Sequence, residues 1–318
     1  MAECNERIHH HLYTNYRIKA FLRRASIVHR FDTGDISIPA ARQGQFSFCR
    51  EYQDKNYSPL TTIILLFKTL PMIPKIIHYC WFGGNPLPED AKRCIASWRG
   101  YLPDYEIKEW NESNFNIRCN IYCEQACNAK KYAFVSDYAR LWILYQEGGI
   151  YFDTDVEVIK PLDDIITKGA FMGCETSPTK DNQIITVNPG LGLGVEPKNA
   201  IYKELLDLYD KRSFILNDGS MDLKTIVTTT TEVLFEHGLQ ISNEIQQIEG
   251  ISIYPKDYFC PIGIDGKMEM TERTHTIHHY AQSWMPASHI WLRKMILSLG
   301  GWRLKRLVSK VYNVIKRH

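Results

Sequence analysis

The segment GGIYFDTDVEV, residues 148–158, joins two glycines to a short apolar strand and two carboxylates set two residues apart. Side chains alternate along a strand, so the spacing predicts that Asp153 and Asp155 lie on the same side. Two carboxylates on one face repel each other, and solvent, a shared proton or a divalent cation relieves that repulsion. We favour the cation, because we expect the pair at a strand's end, where open α/β sheets bind ligands. An isolated Asp-x-Asp is more often a solvated turn, so the surrounding sequence has to decide.

The elements around this segment predict an α/β sandwich with a mostly parallel central sheet. A β-rich run closed by glycines, residues 73–84, predicts a first strand and its turn, and a helix is expected to begin after Pro88. Tyr105 to Trp110 predicts a second strand. Ala129 to Glu147 predicts a helix that the two glycines end, directly before the third strand. Strand, helix, strand, helix and strand in this order are typical of such a sandwich.

The character of the sequence divides the chain into three parts. Residues 1–71 show no sustained period and form an N-terminal extension to which the sequence assigns no role. Residues 72–285 form the α/β domain, and residues 286–318 form a basic C-terminal tail. The later elements predicted in the domain are a loop or strand at 184–194 and helices at 201–209 and 232–237.

Bulk composition narrows the class of protein. A chain of 318 residues with 44% hydrophobic content is long enough to bury a sizeable core. The formal net charge of +2 excludes a globally basic nucleic-acid binder. Nine cysteines without a secretory signal indicate reduced thiols, so we expect a cytoplasmic location. The apolar run from Leu60 to Phe67 is far shorter than the roughly 20 residues needed to span a bilayer, and we expect no transmembrane helix.

The basic tail carries an amphipathic pattern. Leu304, Leu307 and Val311 fall on one helical face, whereas Lys305 and Lys310 fall on the other. Through residues 291–318 such a helix would lie on an anionic membrane surface, which would place the protein at the inner face of the membrane. A terminal helix packed on the domain with its basic face in solvent fits the pattern equally well.

Two further sets of residues are candidates for chemistry. Asp137 and Arg140 share a helix face and would grip sugar hydroxyls or balance phosphate charge if they face the cleft of the carboxylate pair. The alternative is an ordinary surface ion pair. His278 and His279 would point in opposite directions along a strand, so only one is expected to face a metal ion. A histidine buried in the core is the alternative for each.

These blocks together resemble a known family. Ile76-Ile77-His78 with Trp81-Phe82-Gly83-Gly84, then Ser136-Asp137-x-x-Arg140, then the DXD segment and finally His278-His279 with Ser283-Trp284 resemble the DXD sugar transferases of glycosyltransferase family 32. The resemblance covers residues 72–284. The family includes bacterial capsule and surface-polysaccharide transferases and fungal mannosyltransferases, and is similar to the catalytic domains of large glucosylating toxins. It implies a GT-A type nucleotide-sugar-binding fold, a nucleotide-sugar donor, a Mn²⁺ or Mg²⁺ ion and retention of anomeric configuration.

The resemblance also implies roles by position. Asp153 and Asp155 would hold the metal that neutralises the diphosphate leaving group, with His278, or less favourably His279, completing the metal site. Residues implied to contact the reacting groups are Asp137, Arg140, Asp155 and, at the reactive face of the sugar, Asn188. Residues implied to bind the donor are His78, Trp81, Ser136, Tyr151, Ser283 and Trp284. Trp81 would stack on the base, Tyr151 would flank ribose or phosphate, and Ser283 and Trp284 would close over the phosphates.

The function expected from the sequence is therefore transfer of a sugar, with a UDP-sugar favoured and GDP-mannose open, to a glycan or lipid-linked glycan acceptor in surface-polysaccharide synthesis. No nucleic-acid partner is expected. A phosphatase of the haloacid dehalogenase type is an alternative, because such enzymes use the first aspartate, here Asp153, as nucleophile. Glu157 and the early Asp163-Asp164 pair depart from that pattern. A non-catalytic membrane or RNA adaptor using the basic tail is a third class.

Overall fold

The computed structural model describes residues 72–180, 183–263 and 267–281. The strands are β1 (Ile76–Cys80), β2 (Glu106–Trp110), β3 (Gly149–Tyr151), β4 (Val156–Val158), β5 (Phe171–Thr176), β6 (Thr186–Val187), β7 (Leu193–Val195), β8 (Gln246–Ile248), β9 (Ile251–Tyr254) and β10 (Thr276–His278). The helices are α1 (Glu89–Tyr101), α2 (Ile121–Asn128), α3 (Tyr132–Glu147), α4 (Asp163–Ile166), α5 (Ala200–Asp210) and α6 (Ile226–Glu236), with 3₁₀ turns at Ile117–Cys119 and Lys256–Tyr258.

A mixed central sheet organises these elements. Its strand order is β2-β1-β3-β7-β5-β9-β8, and β6 pairs with β5. Strand β1 runs parallel to β2 and β3, and β5 runs parallel to β9, whereas β7 and β8 run against their neighbours. Most strands of the sheet therefore point the same way, and the predicted α/β fold with a mostly parallel sheet is confirmed. A separate antiparallel pair, β4 with β10, lies outside this sheet.

The glycine pair behaves as the sequence predicts. Gly148 ends α3 at a φ of 66°, and its N–H donates to the Leu144 carbonyl. Gly149 begins β3 at a φ of 100°, and a Cβ there would lie 2.7 Å from the Ile76 carbonyl oxygen. A side chain at residue 149 would thus push β3 away from β1. The two glycines let the chain leave a buried helix and enter the sheet at once.

Some boundaries differ from the prediction. The helix expected from Ala129 begins only at Tyr132, because Lys130 takes a left-handed φ of 56° and separates α2 from α3. The helix expected at 232–237 begins six residues earlier, so the threonines before it are helical. The Thr231 hydroxyl donates to the Val227 carbonyl one turn back, which satisfies its polar group inside the helix.

Several predictions fall on residues that the structure does not describe. These are the extension of residues 1–71, the contacts of Ser283 and Trp284, and the amphipathic tail. Within the described ranges, no helix combines the length and apolar character needed to cross a bilayer.

Candidate functional site

The site forms where strands that run the same way end together. Trp81 directly follows β1, Asp153 is the second residue after β3, and Glu175 is the penultimate residue of β5. All three line one cavity of about 510 Å³. The carboxyl ends of similarly directed strands meet at one edge of a sheet, which is where α/β proteins bind ligands.

The two aspartates lie in a turn, not along a strand. Strand β3 ends at Tyr151 and β4 begins at Val156, so the predicted strand alternation is wrong as the cause of their convergence. The turn is fixed by its backbone, since the Asp153 N–H donates to the Gly190 carbonyl at 3.0 Å and the Asp153 carbonyl accepts from Val156 N–H at 3.0 Å. The predicted position at the end of a strand is correct.

His278 reaches this turn from a distant part of the sequence. Strand β10 pairs with β4 so that His278 lies opposite Val156, directly after Asp155. The His278 Nε2 lies 3.1 Å from Asp155 Oδ1, and the Ala281 N–H donates to Asp155 Oδ2 at 2.8 Å. Burial alone would lower the pKa of His278, but the Asp155 carboxylate raises it. At Asp155, burial acts to raise the pKa, but the effect of His278 is larger. The pKa of Asp155 is therefore lowered.

His279 points elsewhere. Its Nε2 lies 2.8 Å from a Glu157 carboxylate oxygen, and neither side chain lines the cavity. Of the two histidines, the structure brings His278 to the aspartates, and the metal-binding role implied for His279 does not fit its position.

Asp153, Asp155 and His278 fit a divalent cation. Each offers a ligand atom, and these atoms lie within 4.8 Å of one another. Two carboxylates and an imidazole are donors that a manganese-like ion accepts. The turn also leaves no space for a larger residue at Gly190, where a Cβ would lie 1.9 Å from Asp153 Oδ2. This Asp-Asp-His set is the possible metal site of the described chain.

Asp137 and Arg140 form a buried network with the first aspartate. Arg140 pairs with Asp137 at 3.1 Å and with Asp153 at 3.2 Å, and the Arg140 side chain is only 6% exposed. Its Nε donates to the Ser136 carbonyl, and its guanidinium lies 4.8 Å from the centre of the Tyr151 ring. The surface ion pair considered from the sequence is therefore excluded.

The charge of this network is finely balanced. Burial raises the pKa of Asp137 to about 6, although Arg140 acts in the opposite direction. The Arg140 pKa stays raised because Asp153, Tyr151 and Asp137 outweigh the effect of its burial. The Arg140 guanidinium thus pairs with two carboxylates, that of Asp153 in the possible metal site and that of Asp137.

Other residues predicted from the sequence also line the cavity. Trp81 is partly exposed, and its Nε1 donates to the Asn85 carbonyl at 2.6 Å, which fixes the indole. The Tyr151 hydroxyl donates to Asp153 Oδ1 at 3.2 Å, and Ser136 and Asn188 complete the set. The Asn188 Oδ1 accepts from the Gly190 N–H at 2.7 Å, so this amide is held by the same loop that packs on Asp153.

His78 does not belong to the cavity. It is fully buried in β1, where Nδ1 accepts from Trp110 Nε1–H at 3.0 Å and Nε2 donates to the Gly148 carbonyl at 2.9 Å. These contacts require the neutral ring, and burial lowers the pKa of His78 to about 4. The donor-binding role implied for His78 does not fit its position, because His78 does not line the cavity and its two nitrogens are engaged by Trp110 and Gly148.

Glu175 and Tyr280 line the cavity and were missed by sequence reasoning. A signal for Glu175 existed, since it follows the apolar run Ala170 to Cys174 as Asp153 follows its own apolar strand. Tyr280 carried no such signal, and it reaches the cavity because β10 returns to β4.

Comparison with known proteins bears on this geometry. Residues 88–172 match the family model described as "Glycosyltransferase sugar-binding region containing DXD motif". Over these residues the chain is similar to the DXD sugar-binding region of glycosyltransferases. The predicted resemblance is thereby confirmed over a segment that contains Asp137, Arg140, Asp153 and Asp155. Trp81, the residues of the β5 to β7 region that line the cavity, and His278 lie outside it.

Similar proteins have names of the same enzyme class. The chain is 29% identical over 117 residues to "Inositol phosphoceramide mannosyltransferase 1" of Schizosaccharomyces pombe, a match that covers 33% of this chain and 35% of the relative. It is 25% identical to an uncharacterized glycosyltransferase of Acanthamoeba polyphaga mimivirus, over 61% of this chain and 75% of that protein. The solved structure of the PaToxG glycosyltransferase aligns with 59% of this chain and 80% of its own, at 21% identity and a TM-score of 0.38. The match to the Schizosaccharomyces pombe mannosyltransferase spans about a third of that protein's length.

Proposed function

We propose that this chain is a metal-dependent, retaining glycosyltransferase of GT-A type that moves a sugar from a nucleotide-sugar donor to a glycan or lipid-linked glycan acceptor. The observation that carries the proposal is the convergence of Asp153, Asp155 and His278 on a cavity that Trp81 also lines. An aromatic face for a base and a carboxylate site for a metal, in one cavity, suit a nucleotide diphosphate.

The residues that line the cavity have separate roles in this proposal. Trp81 stacks on the base, and Asp153, Asp155 and His278 hold Mn²⁺ or Mg²⁺, which when bound would neutralise charge on the diphosphate leaving group. Asp137 accepts hydrogen bonds from sugar hydroxyls, and Arg140 keeps both of its carboxylate partners in place. The buried arrangement strengthens these contacts, because water competes less with them.

The donor we favour is a UDP-sugar. A mannosyl donor is the second candidate, and the names of the yeast relatives as mannosyltransferases favour it. For the acceptor we propose a glycan or lipid-linked glycan of surface or capsular polysaccharide synthesis, at the cytoplasmic face of the membrane.

We also propose that the basic tail, residues 291–318, binds an anionic membrane surface. The test is flotation of the full chain with phosphatidylglycerol vesicles, compared with a variant in which Lys305, Arg306 and Lys310 are changed to Glu. Flotation of the parent and loss of flotation in the variant support the proposal. Equal flotation of the two chains contradicts it.

The transfer reaction is tested with a panel of donors. UDP-glucose, UDP-galactose, their N-acetylated relatives and GDP-mannose are incubated with the protein and Mn²⁺, and nucleotide release is measured with and without chelator. We expect release from one donor that stops when the chelator is added, and an α-linked donor gives an α-linked product. Absence of release and of nucleotide binding overturns the proposal, and phosphate release from simple phosphoesters favours the phosphatase.

A further inference from the structure

Glu175 is a carboxylate of the cavity to which the proposed transfer assigns no role. Four carboxylates line this cavity: Asp137, Asp153, Asp155 and Glu175. Asp137 is paired with Arg140, and Asp153 and Asp155 belong to the possible metal site. The proposed function assigns Asp137 to the donor sugar and the two metal-site aspartates to the cation, so Glu175 is the cavity carboxylate without an assigned ligand.

The fold places Glu175 near the possible metal site. Strand β5 carries Glu175 to the same sheet edge as the turn of the aspartates. The Tyr280 hydroxyl donates a hydrogen bond to the Glu175 carboxylate, and the Tyr280 ring centre is 4.2 Å from that of His278. The Tyr280 hydroxyl also lies 3.0 Å from Cys260 Sγ, so the tyrosine is held from two sides. Glu175 therefore faces the cavity next to a possible metal ligand without being one of the ligands.

Asn188 supplies a second polar group to the cavity. Its backbone N–H donates to the Gly173 carbonyl of β5 at 3.1 Å, which ties the loop after β6 to the strand that carries Glu175. Because Gly190 N–H occupies the Asn188 Oδ1, the amide nitrogen is the end available to a ligand. A carboxylate and an amide N–H₂ on adjoining segments form a pair that accepts from one hydroxyl and donates to its neighbour.

We propose that Glu175 binds the acceptor, taking a hydrogen bond from the attacking hydroxyl of a sugar, and that Asn188 donates to an adjacent oxygen of the same acceptor. The inference rests on the proposed function and adds the acceptor-binding wall to it. Hydrogen bonds to an ionised group are stronger than neutral ones, so this contact would fix the hydroxyl's direction as well as its position.

The test separates acceptor binding from donor binding. Glu175→Gln keeps the shape of the side chain and removes its charge, and Glu175→Asp keeps the charge on a shorter stem. We measure the affinity of the nucleotide with Mn²⁺ by calorimetry, and nucleotide release from the active donor with water or a methyl glycoside as acceptor. We expect Glu175→Gln to lower turnover by about 10- to 100-fold and to raise KM for the methyl glycoside, with nucleotide affinity within about twofold of the parent. The turnover of Glu175→Asp should lie between that of the parent and that of Glu175→Gln.

Glu157→Gln is the matched control, because it makes the same charge change on a neighbouring carboxylate that does not line the cavity. It should leave turnover within about twofold of the parent. Turnover of Glu175→Gln equal to that of the parent overturns the acceptor role alone. A parallel loss of nucleotide affinity also overturns it, by assigning Glu175 to the donor. If the parent neither binds nor turns over any nucleotide sugar, the proposed function itself fails.

Discussion

The residues that line the cavity fall into two groups along the sequence, which we call the first and the second wall, and the two groups are built in different ways. The first wall comes from residues 81–155, and its charged members Asp137, Arg140 and Asp153 follow one another through α3, the glycine pair and β3. The second wall comes from residues 175–280, and it depends on strand pairings between segments far apart in sequence, such as β10 with β4. Local links fix the first wall, whereas the completed fold fixes the second. We therefore expect changes at Arg140 and Trp81 of the first wall to alter stability or donor binding, and a change at Glu175 of the second wall to alter turnover. Asp155 contacts His278 across the two walls, and a change there should alter turnover most.

The largest effect is expected at Asp155, where the two walls meet. Asp155→Asn removes a possible metal ligand and the charge that faces His278, while the amide keeps the shape. Because leaving-group stabilisation by a metal contributes several kcal/mol, we expect nucleotide release to fall by about a thousandfold. Release is measured on the active donor with saturating Mn²⁺. Release equal to the parent's contradicts the joining of the two walls through a metal.

Arg140→Ala tests whether the first wall supports the fold. The change leaves Asp137 and Asp153 without their shared cation, and removing one partner of a buried pair costs about 3–5 kcal/mol. We expect the free energy of unfolding in urea to fall by about that amount. Lys203→Ala, which breaks the exposed pair with Asp207, is the control and should change it by under about 0.5 kcal/mol. Similar values for the two variants would show that burial of the first wall has no energetic consequence.

The same contrast explains what the sequence revealed. Asp153, Asp155, Asp137 and Arg140 could be found because a helix, a glycine stop and an Asp-x-Asp follow one another within 20 residues, although strand alternation is not what brings the two aspartates together. His278 and His279 are both candidates from their chemistry and the resemblance favours His278; the register of β10 against β4 shows that His278 is the one beside Asp155. Glu175 and Tyr280 were missed because their place depends on strand order, which a linear pattern does not contain.

His78 shows the opposite error. It belongs to a motif of the resemblance, yet its neighbours are Trp110 and Gly148, both distant in sequence. A polar residue inside an apolar strand was interpreted as a ligand-binding group, although its hydrogen bonds are internal. A sequence does not distinguish a buried histidine whose hydrogen bonds are satisfied within the fold from an exposed histidine that binds a ligand.

A pH titration of stability tests this structural role of His78. In the unfolded chain the imidazole takes up a proton near its ordinary pKa of 6.5, whereas in the folded chain burial delays protonation to about 4. Between these values the unfolded state binds more protons, so the contribution of His78 is complete above pH 6.5 and is lost as the pH falls towards 4. That loss amounts to about 3 kcal/mol.

The comparison variant is His78→Gln, whose amide accepts from Trp110 and donates to Gly148 without titrating. Stability is measured in urea at a series of pH values. The difference between the free energies of unfolding of the parent and of His78→Gln should change by about 3 kcal/mol as the pH falls from 6.5 towards 4. A constant difference would show that the ring is not held neutral.

The smallest effect is expected at Trp81, at the partly exposed end of the first wall. Stacking of a base on an aromatic ring contributes about 1–3 kcal/mol, so Trp81→Ala should weaken nucleotide binding by about 5- to 150-fold. Trp81→Phe should recover part of this affinity, and stability should change little in either. Affinity is measured by calorimetry with Mn²⁺ present. Unchanged affinity in Trp81→Ala would place the base elsewhere in the cavity.

The central claim is that Asp153, Asp155 and His278 hold a metal ion that binds the donor's diphosphate. The most direct measurement is a calorimetric titration of the nucleotide of the active donor into the parent and into Asp153→Asn, each with and without Mn²⁺. We predict that Mn²⁺ raises the parent's affinity by at least about tenfold and leaves that of Asp153→Asn nearly unchanged. Equal enhancement in both proteins, or none in the parent, would contradict the claim.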